Sequence, residues 1–426
     1  MSRPSAVRWN VLGLLVLASF ISYVLRYNVS TAGPAMMLDL DLTEVQFGYI
    51  LAAFTAGYTI FQFPGGVFGV KLGPRRALTI LMVLWGLLTA LTSTVPGTAF
   101  GGTTVTLVTL IAVRFLVGAV HAPIYPLTGG VVERWFPIGG WALPNGLSST
   151  GLTLGTAATA PLLAWMLGAY GWRQSFVMLA PLGLVGAALW WWYVRDHASE
   201  HPSSNQEEVD LIYANRPKAV PASDGEPSWL RVLKNPNVIL LTLSYFCMNY
   251  IFYLMFNWVF YYLEEIRGIE RQMAGFLTSA QWIAAAVGAT AGGLLCDVLC
   301  RRFGMRRGCA WPAMFGVILS GLMLLAGSLS VNAYIAVACL AASFLFNQLT
   351  EGAFWAAGIS IGGRHAAAAC GVMNTGGNAV GFVNALLVPF TAATLGWTAA
   401  MITGTAFAFV SAILWLFIRT DQPVAD

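Results

Sequence analysis

The chain is a succession of long apolar runs divided by short polar joints, and this pattern leaves few folds open. The runs fall near 9–37, 44–69, 77–95, 103–132, 143–169, 174–195, 237–263, 272–299, 309–329, 332–361, 366–394 and 398–419. A helix needs roughly 20 apolar residues to cross the hydrocarbon core of a bilayer, so every run is long enough. In hydrocarbon the backbone must satisfy its own polar groups, which makes runs of this kind helical. Only 9% of the residues are charged and 58% are hydrophobic, against about 25% charged in an ordinary soluble protein. The expected fold is therefore an all-α membrane protein of twelve transmembrane helices. The first run lacks the short apolar core and small-residue cleavage site of a signal peptide, so it is expected to stay in the mature chain.

One long polar segment interrupts the series, from Asp196 to Asn235, with DHASEHPSSNQEEVD and NRPKAVPASDGEPS in it. Its Pro, Ser and charge content marks a linker. The reading is a six-helix half at 1–195, a cytoplasmic linker at 196–236 and a second six-helix half at 237–426. With both termini placed in the cytoplasm, 17 of the 22 lysines and arginines lie in inside segments, and only Arg173, Arg267 and Arg271 lie in outside loops. The inverted topology would violate the positive-inside rule badly. Inner membrane, multi-pass, with both termini cytoplasmic, is the expected placement.

The remaining two cations, Arg26 and Arg114, lie within runs. A guanidinium does not lose its proton, and at bilayer depth it costs at least about 2.5–3.5 kcal/mol. Arg26, in YVLRYNVS, either snorkels to an interface or lines a polar path and meets an anion. The apolar residues on both sides favour the second. Arg114 lies nearer mid-span, among Leu110, Val113 and Phe115, where snorkelling is harder and a structural pairing is the alternative. One acid, Glu351 in LFNQLTEGAFWAA, also sits between apolar runs. An intramembrane carboxylate is a functional candidate by default; its bland role is a packing bond to Asn347 or Gln348.

The two halves repeat. GVFGVKLGPRRAL (Gly66 to Leu78) and GLLCDVLCRRFGMRRG (Gly293 to Gly308) place glycines and paired arginines at the same turn. The fifth and eleventh runs both carry several glycines and end at Pro161 or Pro389, before Gly171-Trp172 or Gly396-Trp397. Two six-span halves related in parallel are the architecture of the major facilitator superfamily, and the glycine–arginine loops resemble its signature. In that resemblance Lys71, Arg75, Arg76, Asp297 and Arg301 are gating residues. The first copy departs from it, because Val70 stands where the acid belongs, which implies a differently built gate.

A narrower resemblance is carried by YVLRYNVS, GYILAAFTAGYTIFQFPGG, RFLVGAVHAPIYPLTGGVVERWFP, NGLSSTGLTLGTAATAPLL, NYIFYLMFNWVFYYLEEI and GVMNTGGNAVG. These stretches resemble the anion:cation symporters, which include bacterial sugar-acid transporters of the galactonate type and the sialic-acid and vesicular glutamate transporters. The resemblance implies that Arg26 contacts the substrate carboxylate, that Tyr58 lines the same site, and that Arg114 is the span-four arginine. Asn374 and Asn378 would contact substrate hydroxyls. Two departures stand out. Leu25 occupies the place before the span-one arginine where sugar-acid members often carry an acid. His121 stands seven residues after Arg114, where the family carries a glutamate implicated in proton coupling. Histidine can titrate near neutral pH, so two roles stay open for His121, proton carrier and neutral hydrogen-bonding wall. Glu351 is the other coupling candidate.

Nothing in the chain suggests catalysis. There is no phosphate-cradling loop ending in Lys-Ser or Lys-Thr, no matched nucleophile and base, and no metal spacing. Cys296, Cys300 and Cys309 cluster without a histidine and read as small apolar helix residues, so no metal and no cofactor are expected. Trp135, Trp172, Trp190 to Trp192 and Trp397 read as an interfacial belt. The expected function is secondary active transport of a small organic anion, a carboxylate, across the inner membrane by alternating access, proton-coupled and inward. The chain is expected to work as a monomer, with protons and the bilayer as its other partners and no nucleic acid. A uniporter or exchanger, an exporter of amphipathic compounds and a non-transporting sensor are the rivals. GLTLGTAATAP lacks the adjacent Gly-Pro of a drug antiporter, and neither terminus offers an output domain.

Overall fold

The computed structural model describes residues 3–97, 101–137, 141–213 and 232–422, and among them all regular structure is helical. Among the described residues there are thirteen α-helices, of which the first seven are α1 (Val7–Leu40), α2 (Glu44–Leu72), α3 (Pro74–Ser93), α4 (Gly102–His121), α5 (Ile124–Trp135), α6 (Ala142–Tyr193) and α7 (Gln206–Tyr213). Then come α8 (Pro236–Tyr261), α9 (Arg271–Leu329), α10 (Ala333–Leu349), α11 (Glu351–Gly362), α12 (Ala366–Leu395) and α13 (Trp397–Trp415).

These resolve into the twelve spans. At 52 and 59 residues, α6 and α9 are more than twice the length a bilayer requires. Each turns back at a glycine with non-helical backbone, Gly171 (φ 74°, ψ 171°) in α6 and Gly304 (φ 80°, ψ 165°) in α9. Conversely, α4 and α5 are two parts of one span, broken at Ala122-Pro123, and α10 and α11 are two parts of another, broken at Thr350.

The internal repeat extends to backbone angles. Gly73, at the first glycine–arginine loop, has φ 80° and ψ 147°, close to Gly304 at the second. Gly396, between α12 and α13, has φ 86° and ψ 163°, close to Gly171. Only glycine occupies this region readily.

By packing, the chain divides into two units, one of Met1–Asp41 with Ala56–Ala222 and one of Leu42–Thr55 with Ser223–Asp426. In the first, α6 packs along α1 and α3. In the second, α9 packs on α10 and α13, and α8 on α12 and α13. Large apolar side chains such as Val108, Leu116, Ile283, Val287 and Leu294 point outward, which in water would be a severe liability and in a bilayer is a lipid-facing surface.

The charges outside the spans hold helix ends. Arg173 pairs with Asp39 at 3.5 Å and donates to the carbonyls of Ser93 and Val95, at the C-terminal end of α3. Arg267 donates to the carbonyls of Gly327 and Ser330 at the end of α9. Cations belong at such carbonyl ends, which accounts for two of the three exceptions to the loop-charge asymmetry. At the opposite end of the first unit, Asp196 accepts from the Arg75 backbone N–H (3.0 Å) and pairs with Arg134 at 3.7 Å. Glu208, in α7, is fully buried and accepts from the Val7 and Arg8 backbone N–H groups, the Arg8 guanidinium and the Ser5 hydroxyl. It caps the N-terminus of α1, so residues 198–213 of the polar segment carry structure; residues 214–231 of that segment lie outside the described residues.

The aromatic belt is only partly one. Trp191 and Trp192 are exposed, but Trp135, Trp172 and Trp190 are buried. Trp135 donates to the Arg195 carbonyl and Trp172 to Asp39, so indole N–H groups tie helices together there.

Candidate functional site

In the first unit α1 carries Arg26 deep among buried residues, at 3% exposure. One guanidinium nitrogen donates to the Tyr23 hydroxyl at 2.9 Å, one turn back on the same helix face. The guanidinium also lies over the Tyr23 ring (5.0 Å) and the Tyr58 ring (4.9 Å). Tyr23 in turn shares a 3.0 Å hydrogen bond with Tyr125 of α5. Aromatic faces stabilise a cation without neutralising it. Arg26 is therefore held in place by three tyrosines while its charge persists.

Arg114, on α4, is also 3% exposed. A guanidinium keeps its proton, so this unit buries two permanent positive charges within its spans. The acids of this unit described above, Asp39, Asp196 and Glu208, bind partners at the helix ends.

His121 ends α4 and is 1% exposed. Its ring stacks on Trp85 at 4.9 Å and 22°, and Nδ1 lies 2.8 Å from the Val117 carbonyl. A carbonyl only accepts, so Nδ1 carries a proton there. Trp85 is itself fixed by donating to the Val120 carbonyl at 2.9 Å.

In the second unit α12 presents Asn374 and Asn378 one turn apart. The Asn378 amide donates to the carbonyl and side-chain oxygen of Asn374 (2.8 and 3.1 Å), and Tyr253 of α8 donates to Asn378 Oδ1 at 2.8 Å. The glycines around them permit this approach: a methyl at Gly376, Gly377 or Gly381 would collide with Thr242, Tyr245 or Tyr253 of α8.

Glu351 opens α11, where the helix dipole favours a carboxylate. Its Oε1 accepts from the Tyr245 hydroxyl and the Trp355 indole, each at 2.7 Å. Of the packing partners expected from sequence, Asn347 bonds elsewhere, donating to the Met248 carbonyl at 3.0 Å. Both coupling candidates thus lie at helix breaks, His121 before Ala122-Pro123 and Glu351 after Thr350, in the fourth and tenth spans that the repeat relates.

Tyr250 stacks on Phe407 at 4.1 Å and bonds Thr403, a packing role. Tyr23 and Tyr245 escaped the sequence reading. Tyr23 had a signal, its position three residues before Arg26. Tyr245 had none, since 106 residues separate it from Glu351.

Of the residues expected to gate, Arg75 docks on the end of α6, donating to the Trp191 carbonyl at 2.7 Å with its guanidinium 4.1 Å from the centre of the Trp191 ring. Arg301 donates to the backbone carbonyl of Asp297, within its own helix. Lys71 and Arg76 are exposed.

Apolar helices in two repeated sets, with cations buried inside them, are the arrangement of a membrane transporter. The sequence profile described as Major Facilitator Superfamily matches residues 15–383, and the chain belongs to that superfamily: it is a multi-pass membrane transporter, not an enzyme. It is 29% identical to the "Probable sulfoacetate transporter SauU" of Cupriavidus necator over 90% of this chain and 87% of that one. It is 30% identical to the hexuronate transporter of Bacillus subtilis over 81% of this chain and 78% of the relative. The D-galactonate transporter of Escherichia coli is 25% identical over 99% and 97%. In fold it matches a bacterial homologue of the human lysosomal transporter Spinster, with a TM-score of 0.81 at 14% identity over 97% of each chain.

Proposed function

We propose that this protein moves a small organic anion across the cell's inner membrane, inward and driven by protons, with both termini cytoplasmic. The observation that carries the reading is Arg26, a permanently charged group buried in a span and steadied by tyrosines that leave its charge intact. The relatives named for their substrates carry organic acids: sulfoacetate, hexuronate and galactonate. In this proposal Arg26 takes the acid group, Tyr58 packs beside it and Arg114 adds a second positive charge. Asn374 and Asn378 are assigned to the polar groups of the substrate. Glu351 carries the proton, and His121 is a neutral wall, because it is 1% exposed and stacked on the Trp85 ring, where an imidazolium would give up its hydration.

Uptake into proteoliposomes of a panel of labelled carboxylates and sulfonates tests this. Arg26→Ala is expected to weaken uptake by about 10–100-fold, the worth of a hydrogen bond to a charged group. Arg26→Lys should restore little, because a point charge lacks the planar fork. Near-normal uptake by Arg26→Ala would remove the arginine from the site.

A further inference from the structure

Three of the six cysteines converge where α9 turns back on itself. Cys296 and Cys300 lie one turn apart before Gly304, and Cys309 follows it. The Cys296 and Cys300 sulfurs are 3.8 Å apart, those of Cys300 and Cys309 3.7 Å apart, and all three lie within 4.8 Å of one another. Cys296 and Cys309 are 1% and 0% exposed, in a core with Val232, Leu241 and Trp415, while Cys300 is half-buried and opens the cluster to solvent.

We propose that Cys296, Cys300 and Cys309 form a binding site for a thiophilic metal ion. With metal–sulfur bonds of 2.3 Å, the edge of a tetrahedral thiolate set is about 3.8 Å. Two edges of the cluster already have that length, and a movement of about 1 Å or less closes the third. A disulfide would use two of these thiols and strand the third, whereas one ion uses all of them. Soft thiolate ligands select Cu(I) and Zn(II), with Cd(II) as their chemical analogue. On binding, three S–H bonds break, three metal–sulfur bonds form and the protons leave to solvent, so no oxidant or reductant is needed. Arg301, Arg302, Arg306 and Arg307 on the same turn supply positive charge that favours thiolates.

A second observation marks the approach as built. A methyl at Gly308 would run into the backbone and sulfur of Cys300, with Sγ at 2.6 Å. That glycine lets the two legs of α9 come close enough for Cys309 to reach the other thiols. Sequence spacing without a histidine suggested packing residues; the reversal at Gly304 is what assembles a ligand set. The consequence is a clamp across the second glycine–arginine loop.

The test is titration of the purified, reduced full-length protein with Cd(II), following the ultraviolet thiolate-to-metal charge-transfer band. The expected result is saturation at one ion per chain and a concentration-dependent rise in Tm. Cys296→Ser, Cys300→Ser and Cys309→Ser should each weaken binding by more than about 100-fold, since even losing an outer-shell partner costs 10–100-fold. Replacing Cys247, Cys339 and Cys370 with serine together should leave binding intact. Cys300 is half-buried, so Cys300→Ser decides the matter if either buried variant fails to fold. No saturable band in the wild type, or an equal band in Cys300→Ser, would overturn the site.

Discussion

Glu351 rests one carboxylate oxygen against two donors, the Tyr245 hydroxyl and the Trp355 indole, at the first turn of α11. Both donors suit an amide oxygen as well, so Glu351→Gln keeps the local packing and removes only the exchangeable proton. That variant is expected to lose proton-driven accumulation in proteoliposomes while retaining substrate counterflow. Unaltered accumulation would reduce Glu351 to a packing residue. His121 is set differently, stacked on Trp85 and bonded to a carbonyl of its own helix. His121→Gln is therefore expected to change accumulation less than threefold, and a loss comparable to that of Glu351→Gln would transfer the coupling role to the histidine. At this scale even a pair that shares a helix, Tyr23 and Arg26, went unread, although its three-residue spacing carried the signal.

Helix-scale packing turns on where glycines meet rings. A methyl at Gly377 would strike the Tyr245 ring and lie 3.0 Å from the Asn249 amide, whereas Gly371, on the same helix, has nothing within 4 Å of such a methyl. Gly377→Ala should destabilise by about 1–3 kcal/mol as overpacking does, and Gly371→Ala should stabilise slightly through helix propensity. Thermal unfolding in detergent compares them. The polar segment after α6 adds a pH effect. His201 packs on Tyr193 and Trp135, and its Nδ1 accepts from the Ser203 N–H. Burial, and then the nearby Arg195 charge, push its pKa below the ordinary 6.5. The unfolded segment takes up the proton first, so this contribution is complete above pH 6.5 and fades as pH falls below it. Hydrogen-exchange protection over residues 198–213, taken relative to the intrinsic exchange rate at each pH, should fall on acidification, and His201→Asn, which keeps an acceptor but does not titrate, should remove that fall.

For the whole molecule, the loop charges set an orientation that can be read chemically. Val331, 98% exposed between α9 and α10, lies in an outside loop of the proposed topology. In cells, Val331→Cys should react with a membrane-impermeant maleimide without permeabilisation, well above the wild-type background. Arg76→Cys should react only after permeabilisation. The reverse pattern would invert the topology.

Length and polarity of the apolar runs sufficed for the span number, the repeat and the membrane class, because a bilayer forces every backbone polar group into its own helix. The resemblance carried by six motifs led to the superfamily, and Arg26 was legible as a candidate because a permanent charge in a span needs a reason. Tertiary structure decided what depends on contacts between distant residues. It broke the fourth and tenth spans beside His121 and Glu351, brought Tyr245 onto Glu351, buried three tryptophans expected at the interface, and made Glu208 the cap of α1. It also folded Cys309 back onto Cys296 and Cys300. The periodic pattern of a helix records which face is apolar, but not which residue of another helix will face it.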